Sequence, residues 1–293
     1  MPWKPLRRFV DVEEYKQMEN YSVLMLVYKG EDPASFREAI QSMLDQTVLT
    51  NDFVIVCDGP LTAELDAVLD GFVSRYPDLF HIVRLPENLG VGLAGNAGLA
   101  VCRNELIAKM DSDDISLPDR CEKQLACFAA DPELVVLGGV IEEFDARTGA
   151  VFSVREVPLD NEGIRRYARR RSPINNVTAM FRKPAARAAG GYRDLRRGED
   201  YDLYLRMLIR GGYARNLPDT LVKVRVDRDT QRRRTSWAAV KGCAGIWWNA
   251  WRAGFSSLGD LVICITGQVF LAVCPGWMRQ MLYQKFLRKK KTS

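Results

Sequence analysis

The 293-residue chain contains one histidine, His81, so a Ser-His-Asp triad has little to draw on, and His81 reads as an ordinary core or surface residue. Its seven cysteines, at 57, 102, 121, 127, 243, 264 and 274, form no CxxC pair and lie mostly in apolar runs such as VIVCD and LVICIT. Zinc and disulfide frameworks are poor readings of that pattern, and a reducing compartment fits it better. No apolar run reaches the roughly 20 residues of a membrane-spanning helix. The longest, Leu261 to Cys274, is about 14 residues and is interrupted by Thr266, Gly267 and Gln268. The opening MPWKPLRRFVDVEEY lacks the apolar core of a secretory signal. Hydrophobic residues at 47% and charged residues at 27% exclude a disordered chain or a coiled coil.

Charge is present but unevenly placed. The net value is +5, yet from Arg228 to Ser293 there are 12 Lys and Arg against only Asp229 and Asp260. The body is therefore slightly acidic and the end strongly basic. That pattern does not describe a nucleic-acid-binding protein. It describes an enzyme body with a handle for an anionic surface. Trp237, Trp247, Trp248 and Trp251 precede the apolar run and LRKKK follows it, which suits a segment lying in the headgroup layer of a membrane.

Along the body, apolar runs alternate with helical periodicity. Strands are expected at Tyr21–Tyr28, Phe53–Cys57, His81–Leu85 and Leu106–Met110, with helices at Ala34–Gln46, Ala63–Tyr76 and Leu93–Cys102 between them. This βαβαβαβ order predicts a parallel sheet layered with helices, whose ligands sit outside the carboxyl ends of the strands. Tyr28, Asp58 and the Asp111-Ser112-Asp113-Asp114 run all fall at those ends. Later come short strand candidates (Val135–Gly138, Ala150–Val154, Thr178–Phe181), a basic helix at Asn161–Arg171 and a helix at Tyr201–Arg210.

Three constellations carry chemistry. Two carboxylates at i and i+2 on a turn, Asp111 and Asp113, can approach one Mg²⁺ or Mn²⁺ and leave room for water and phosphate oxygens. The plainer alternative is an Asp-rich turn in which Asp114 or Ser116 caps the next helix. An EF-hand is excluded, because Ile115 and Ser116 fall at loop positions five and six. Gly90-Val91-Gly92-Leu93-Ala94-Gly95 satisfies GxGxxG and would suit an NAD(P)-dependent oxidoreductase. However, four residues separate it from the preceding strand, and two βα units precede it. A loop-to-helix junction with small residues for close packing covers the same facts. Glu199-Asp200 opens a helix, either as first-turn acids favoured by the helix dipole or as a general base facing the cleft.

Taken in order, SVLMLVYKGEDPASFREAIQSMLDQT, VIVCDGP, ENLGVGLAGNAGL, ELIAKMDSDDISLPDRCEKQ, PINNVTAMFRK, GGY and GEDYDLYLRM resemble the blocks of family 2 glycosyltransferases, in particular the bacterial enzymes of capsule, exopolysaccharide and O-antigen synthesis. The resemblance covers roughly residues 21 to 226. It implies an α/β GT-A fold, with a mostly parallel central sheet and helices on both faces, and inverting transfer from a nucleotide sugar, most simply a UDP-sugar. By position, Val27 and Tyr28 would line the base pocket and Asp58 would bind the nucleobase. Asn88, Gly92 and Asn96 belong to the loop beside the nucleotide, and Asp111 with Ser112 would meet the ribose or metal. Asp113 would be the principal metal ligand and Asp200 the catalytic base. Leu26 and Lys29 replace a common Pro and Asn, and Asn176 stands where relatives commonly carry His. Gln231–Arg234 is faintly similar to an arginine segment that grips the diphosphate in some relatives.

The organisation expected is an N-terminal extension at 1–20, a catalytic domain at 21–227 and a helical, basic, membrane-associated region at 228–293. The expected partners are a nucleotide-sugar donor, a lipid-linked saccharide acceptor and the cytoplasmic face of the bacterial inner membrane, with no nucleic acid. The competing classes are the oxidoreductase built on Gly90, Gly92 and Gly95, and a non-catalytic membrane-bound scaffold.

Overall fold

The first strand, β1 (Tyr21–Val27), is an apolar run buried on both faces. Side chains alternate across a strand, and here the alternation feeds two separate cores. Tyr21, Val23, Met25 and Val27 enter one core with Phe36, Ile40, Met43, Leu65 and Leu69, while Leu24 enters the other with Ala94, Leu99, Tyr204 and Leu205. A strand with both faces covered is the signature of a helix–sheet–helix sandwich. The computed structural model describes residues 20–195, 197–226 and 237–273.

Within these residues β1, β2 (Asp52–Cys57), β3 (Phe80–Arg84) and β4 (Leu106–Asp111) alternate with α1 (Pro33–Leu44), α2 (Ala63–Arg75) and α3 (Val91–Val101). Asp32 caps α1 through the Ser35 amide, with Pro33 in the first turn, and Thr62 caps α2 through Leu65. The strand order is β3-β2-β1-β4, all parallel. These elements match the expected ones to within three residues at each end.

The second half is more irregular. It comprises the two-residue β5 (Ile115–Ser116), α4 (Arg120–Ala130), β6 (Leu134–Asp145), β7 (Val151–Arg155), α5 (Asn161–Ala168), β8 (Met180–Arg182), α6 (Lys183–Ala188), α7 (Glu199–Ile209) and β9 (Tyr213–Val226). The sheet continues from β4 through an antiparallel β8 to β6, β9 and β5, with β7 paired to β6. The β6–β9 ladder is parallel and has register shifts near Gly138.

Two helices follow, α8 (Trp237–Arg252) and α9 (Leu258–Val273). They lie beyond the expected boundary at 227/228, yet Ile246, Trp247, Ala250, Leu261 and Cys264 join the core formed with α7. The basic Arg165–Arg171 run anchors them. Arg170 Nε donates to buried Asp260 at 2.6 Å, the Trp247 indole donates to the Arg170 carbonyl at 3.2 Å, and Arg165 lies over the Phe255 ring. Arg165 and Arg170 thus dock these helices, while Arg166, Arg169 and Arg171 stay on the exposed face of the run. No helix among the described residues is long and apolar enough to cross a membrane. Gln231–Arg234, Cys274 and the basic end from Arg279 lie outside the described residues, as does nearly all of the 1–20 extension.

Candidate active site

A cavity of about 520 Å³ opens at the carboxyl ends of β1, β2 and β4. Its wall includes Val27, Tyr28, Asp58 and Asn88 on one side, Lys109, Asp111, Ser112 and Asp113 at its floor, and Asn176, Glu199 and Asp200 opposite. Two acidic pairs that are 88 residues apart in the chain thus face one space.

The wall around Asp58 and Asn88 is built by backbone packing. Asp58 Oδ1 and Oδ2 accept from the Leu89 and Gly90 amides at 2.7 and 3.0 Å, and Asn88 Nδ2 donates to the Asp58 carbonyl at 3.2 Å. The carboxylate therefore fixes the loop after β3 against the loop after β2. Gly59, at φ +87°, lets the two backbones touch: a Cβ there would sit 2.8 Å from the Asn88 nitrogen.

The glycine run proves to be a packing device. Cβ atoms at Gly92 and Gly98 would collide with the Arg193 carbonyl oxygen and the Leu24 side chain, and one at Gly95 would lie 2.9 Å from the Tyr192 ring. This stripe lets α3 press against the sheet and against the loop leading into α7. Asn96 clamps that loop, donating to the Tyr192 carbonyl at 2.7 Å and accepting from its amide at 2.8 Å. Gly92 and Asn96 accordingly stand behind the cavity rather than in its wall.

The DSDD run divides its labour. Asp111, Ser112 and Asp113 line the cavity, whereas Asp114 is buried and accepts from the Arg225 amide at 2.8 Å. Arg225 Nε also donates to the Asp113 carbonyl at 2.9 Å, and its guanidinium pairs with Glu38. Asp114 thus ties the loop to β9 instead of capping α4, whose cap residue is Asp119. Burial first, then the charges of Asp113 and Asp111, push the Asp114 carboxyl well above the ordinary range.

On the opposite wall, Gly198 adopts a left-handed turn before α7 and packs toward Ile246 of α8. Asp202 and Arg206 pair at 2.7 Å, and Arg206 also binds the carbonyls of Ala189 and Gly191. These contacts fix the start of α7, where Glu199 and Asp200 sit. Asp200 Oδ1 is fully covered and has no hydrogen-bond partner. Burial and the Glu199 charge push the Asp200 carboxyl well above the usual carboxylate range, with Lys109 opposing and Asp111 adding to the rise. Glu199 is raised mainly by burial, against a backbone hydrogen bond and Lys109.

Sequence reasoning passed over Lys109. It is a lysine in the middle of a doubly buried strand, 2% exposed, with Nζ 3.1 Å from Asp111 Oδ1. Its position inside an apolar run was the available signal. Glu199, Glu31 and Asn176 also line the cavity. A depression of about 620 Å³ between α1 and α2 is larger, but its two carboxylates are engaged locally, Asp32 in capping α1 through Ser35 and Glu38 in pairing with Arg225.

No three His, Cys, Asp or Glu side chains among the described residues form a closed metal cage. Two carboxylates beside open space are the donor set of a hard cation that takes its remaining ligands from water and phosphate, so Asp111 and Asp113 fit Mg²⁺ or Mn²⁺ of that kind.

A parallel β3-β2-β1-β4 sheet, an acidic loop leaving β4 and a second acidic pair at the start of a helix on the same cavity fit the GT-A class of glycosyltransferases, and the comparisons show that class. The chain belongs to glycosyl transferase family 2, whose description matches residues 22–188, more than half its length. It is 38% identical to the amylovoran biosynthesis glycosyltransferase AmsE of Erwinia amylovora, over 75% of this chain and 82% of that one. It is 32% identical to the UDP-Gal:alpha-D-GlcNAc-diphosphoundecaprenol beta-1,3-galactosyltransferase of Escherichia coli, over 92% and 97%. Among solved structures, a mannosyltransferase from Pyrobaculum calidifontis in complex with GDP-Man and Mn2+ superposes with a TM-score of 0.63, covering 91% of this chain and 73% of the other at 16% identity. At that identity the likeness speaks to the fold. Family membership sets aside the oxidoreductase reading.

Proposed function

We propose that the protein transfers a hexose-type sugar, with inversion, from a nucleotide-diphosphate donor of the UDP-sugar type to a hydroxyl of a growing, lipid-linked bacterial surface polysaccharide. The observation that carries this reading is the convergence of Asp200 with Asp111 and Asp113 on one cavity. The relatives named for amylovoran biosynthesis and for a diphosphoundecaprenol-linked acceptor support the acceptor class.

Val27, Tyr28, Asp58 and Asn88 hold the nucleoside, and Asp111 and Ser112 meet the ribose and diphosphate. Gly92 and Asn96 set the loop and helix behind them. Asp113, with Asp111, would hold Mg²⁺ or Mn²⁺, which would supply Lewis-acid stabilisation of charge on the departing diphosphate. Asp200 accepts the proton of the acceptor hydroxyl as that oxygen bonds to the anomeric carbon. The bond from that carbon to the phosphate oxygen breaks, and its electron pair leaves with the nucleoside diphosphate. A single displacement from the opposite face inverts the centre. The raised carboxyl of Asp200 suits it to hold a proton in transit.

The site of action in this reading is the cytoplasmic face of the inner membrane, reached peripherally. Its support is the outer face of α9, where Leu258, Val262, Ile263, Val269 and Phe270 are exposed, joined by Trp248 of α8. From Leu258 to Phe270 the sole charged residue, Asp260, is buried. An apolar, uncharged outer face followed by a basic chain end suits a helix lying in the headgroup layer, where each nearby Lys or Arg adds about 1 kcal/mol on anionic lipid.

The test is transfer from UDP-galactose, UDP-GlcNAc or GDP-mannose to a synthetic lipid-diphosphate-linked sugar in the presence of Mn²⁺, with the product's anomeric configuration read by NMR. One donor should give an inverted linkage. A retained configuration, or no transfer from any nucleotide sugar, contradicts the reading.

A further inference from the structure

We propose that Lys109 is a donor-recognition residue whose ammonium hydrogen-bonds the sugar of the nucleotide sugar. The inference rests on the glycosyltransferase reading of the cleft and names the group that recognises the glycosyl part.

Alternation along β4 sends Leu106, Ala108 and Met110 into the core beneath α1 and α2 and Ile107 into the core beneath α3 and α7. Lys109 shares the parity of Ile107, so it stands on the side of the sheet that carries Glu199 and Asp200. Placing an ammonium at 2% exposure is costly unless it is paired and hydrogen-bonded. Its polar contacts are Asp111 Oδ1 at 3.1 Å and the Met110 carbonyl at 3.4 Å. An ammonium has three donors, so one N–H is left over beside the cavity that Lys109 lines. In the same cavity Asp200 Oδ1 is covered and unpartnered.

The position of Lys109 says which part of the donor reaches it. The nucleoside lies toward Tyr28 and Asp58, and Asp200 must reach the hydroxyl that attacks the anomeric carbon. The sugar therefore occupies the space between Asp111 and Asp200, and Lys109 stands in its floor.

Calorimetric titration of wild type, Lys109→Met and Lys109→Gln tests this, using UDP-galactose, UDP-GlcNAc and GDP-mannose against bare UDP and GDP, all with Mn²⁺. The readout is the ratio of nucleotide-sugar Kd to bare-nucleotide Kd. Bare UDP and GDP carry more negative charge than their sugar esters, so losing a positive charge alone weakens the bare nucleotide at least as much and leaves the ratio unchanged or lower. Loss of a charged hydrogen bond to the sugar raises the ratio about 10- to 100-fold in Lys109→Met, and less in Lys109→Gln, which keeps a neutral donor. An unchanged or lowered ratio overturns the assignment, whether both affinities fall or neither does. If Lys109→Met binds nothing, the same ratio in Lys109→Gln decides. Wild-type binding of bare nucleotide but of no nucleotide sugar is a different result: it removes the glycosyltransferase reading of the cleft, and the inference with it.

Discussion

Replacing Asp200 by Asn removes the proposed base while keeping its shape, and the structure fixes the expected sign of two separate effects. Loss of a positioned base costs about 10²–10⁴ in rate, or about 3–5 kcal/mol in the barrier. Stability should move the other way. In the folded protein burial and the Glu199 charge raise the Asp200 carboxyl well above its ordinary value of 3.8. Its contribution to stability is therefore complete below that ordinary value and is lost as pH rises toward the folded value, at about 1.4 kcal/mol per pH unit in between. The substituted amide does not titrate, so the variant should match wild type near pH 4 and exceed it progressively at higher pH, within that window. Thermal melts across pH 4–8, beside initial rates of sugar transfer, measure both effects. The acid limb of wild-type kcat/KM should lie above the ordinary carboxylate range and disappear from the residual activity of Asp200→Asn. A variant that keeps more than a tenth of wild-type kcat, or is destabilised at every pH, refutes the assignment.

Other sites give independent tests. Asp113→Ala should abolish the Mn²⁺-dependent part of nucleotide-sugar stabilisation, which at 100 times the Kd is about 2.7 kcal/mol, as read by thermal shift. Gly92→Ala drives a Cβ into the Arg193 carbonyl; it should cost about 1–3 kcal/mol of stability and lower kcat by up to about 100-fold by moving α7, with UDP affinity nearly unchanged in calorimetry. Val262→Asp with Phe270→Asp should weaken binding to anionic vesicles at least about tenfold and leave donor hydrolysis intact, measured by co-sedimentation. Deleting Arg279–Ser293 should act in the same direction.

The sequence made the parallel half of the sheet readable because β1, β2 and β4 are buried on both faces and so appear as unbroken apolar runs. It hid β9, whose YARNLPDTLVKVRV carries Pro218 and alternating charges, since this strand takes its place by pairing with β6 across register shifts. Gly138 read as the end of a short strand, yet β6 runs on through Gly139 to Asp145, with Asn216 and Leu221 of β9 occupying the space that side chains at these glycines would need. The site followed the same rule. Asp111, Asp113 and Asp200 were legible as local carboxylate patterns resembling a family's motifs. The separate role of Asp114 depends on Arg225, 111 residues away, and the role of Arg170 depends on Asp260, 90 residues away. Neither partner leaves a local trace. Gly92 and Asn96 matched a nucleotide loop by position, but their contacts run to the loop before α7.

The central claim is that the cleft between Asp113 and Asp200 binds a nucleotide sugar through a divalent cation. A thermal-shift screen tests it most directly, with UDP-, GDP-, dTDP- and CMP-sugars and NAD(P), each with and without Mn²⁺, on wild type and Asp113→Ala. Stabilisation by one nucleotide sugar that requires Mn²⁺ and vanishes in Asp113→Ala is the predicted result. Stabilisation by NAD(P) alone, indifferent to metal and to Asp113, would contradict the account.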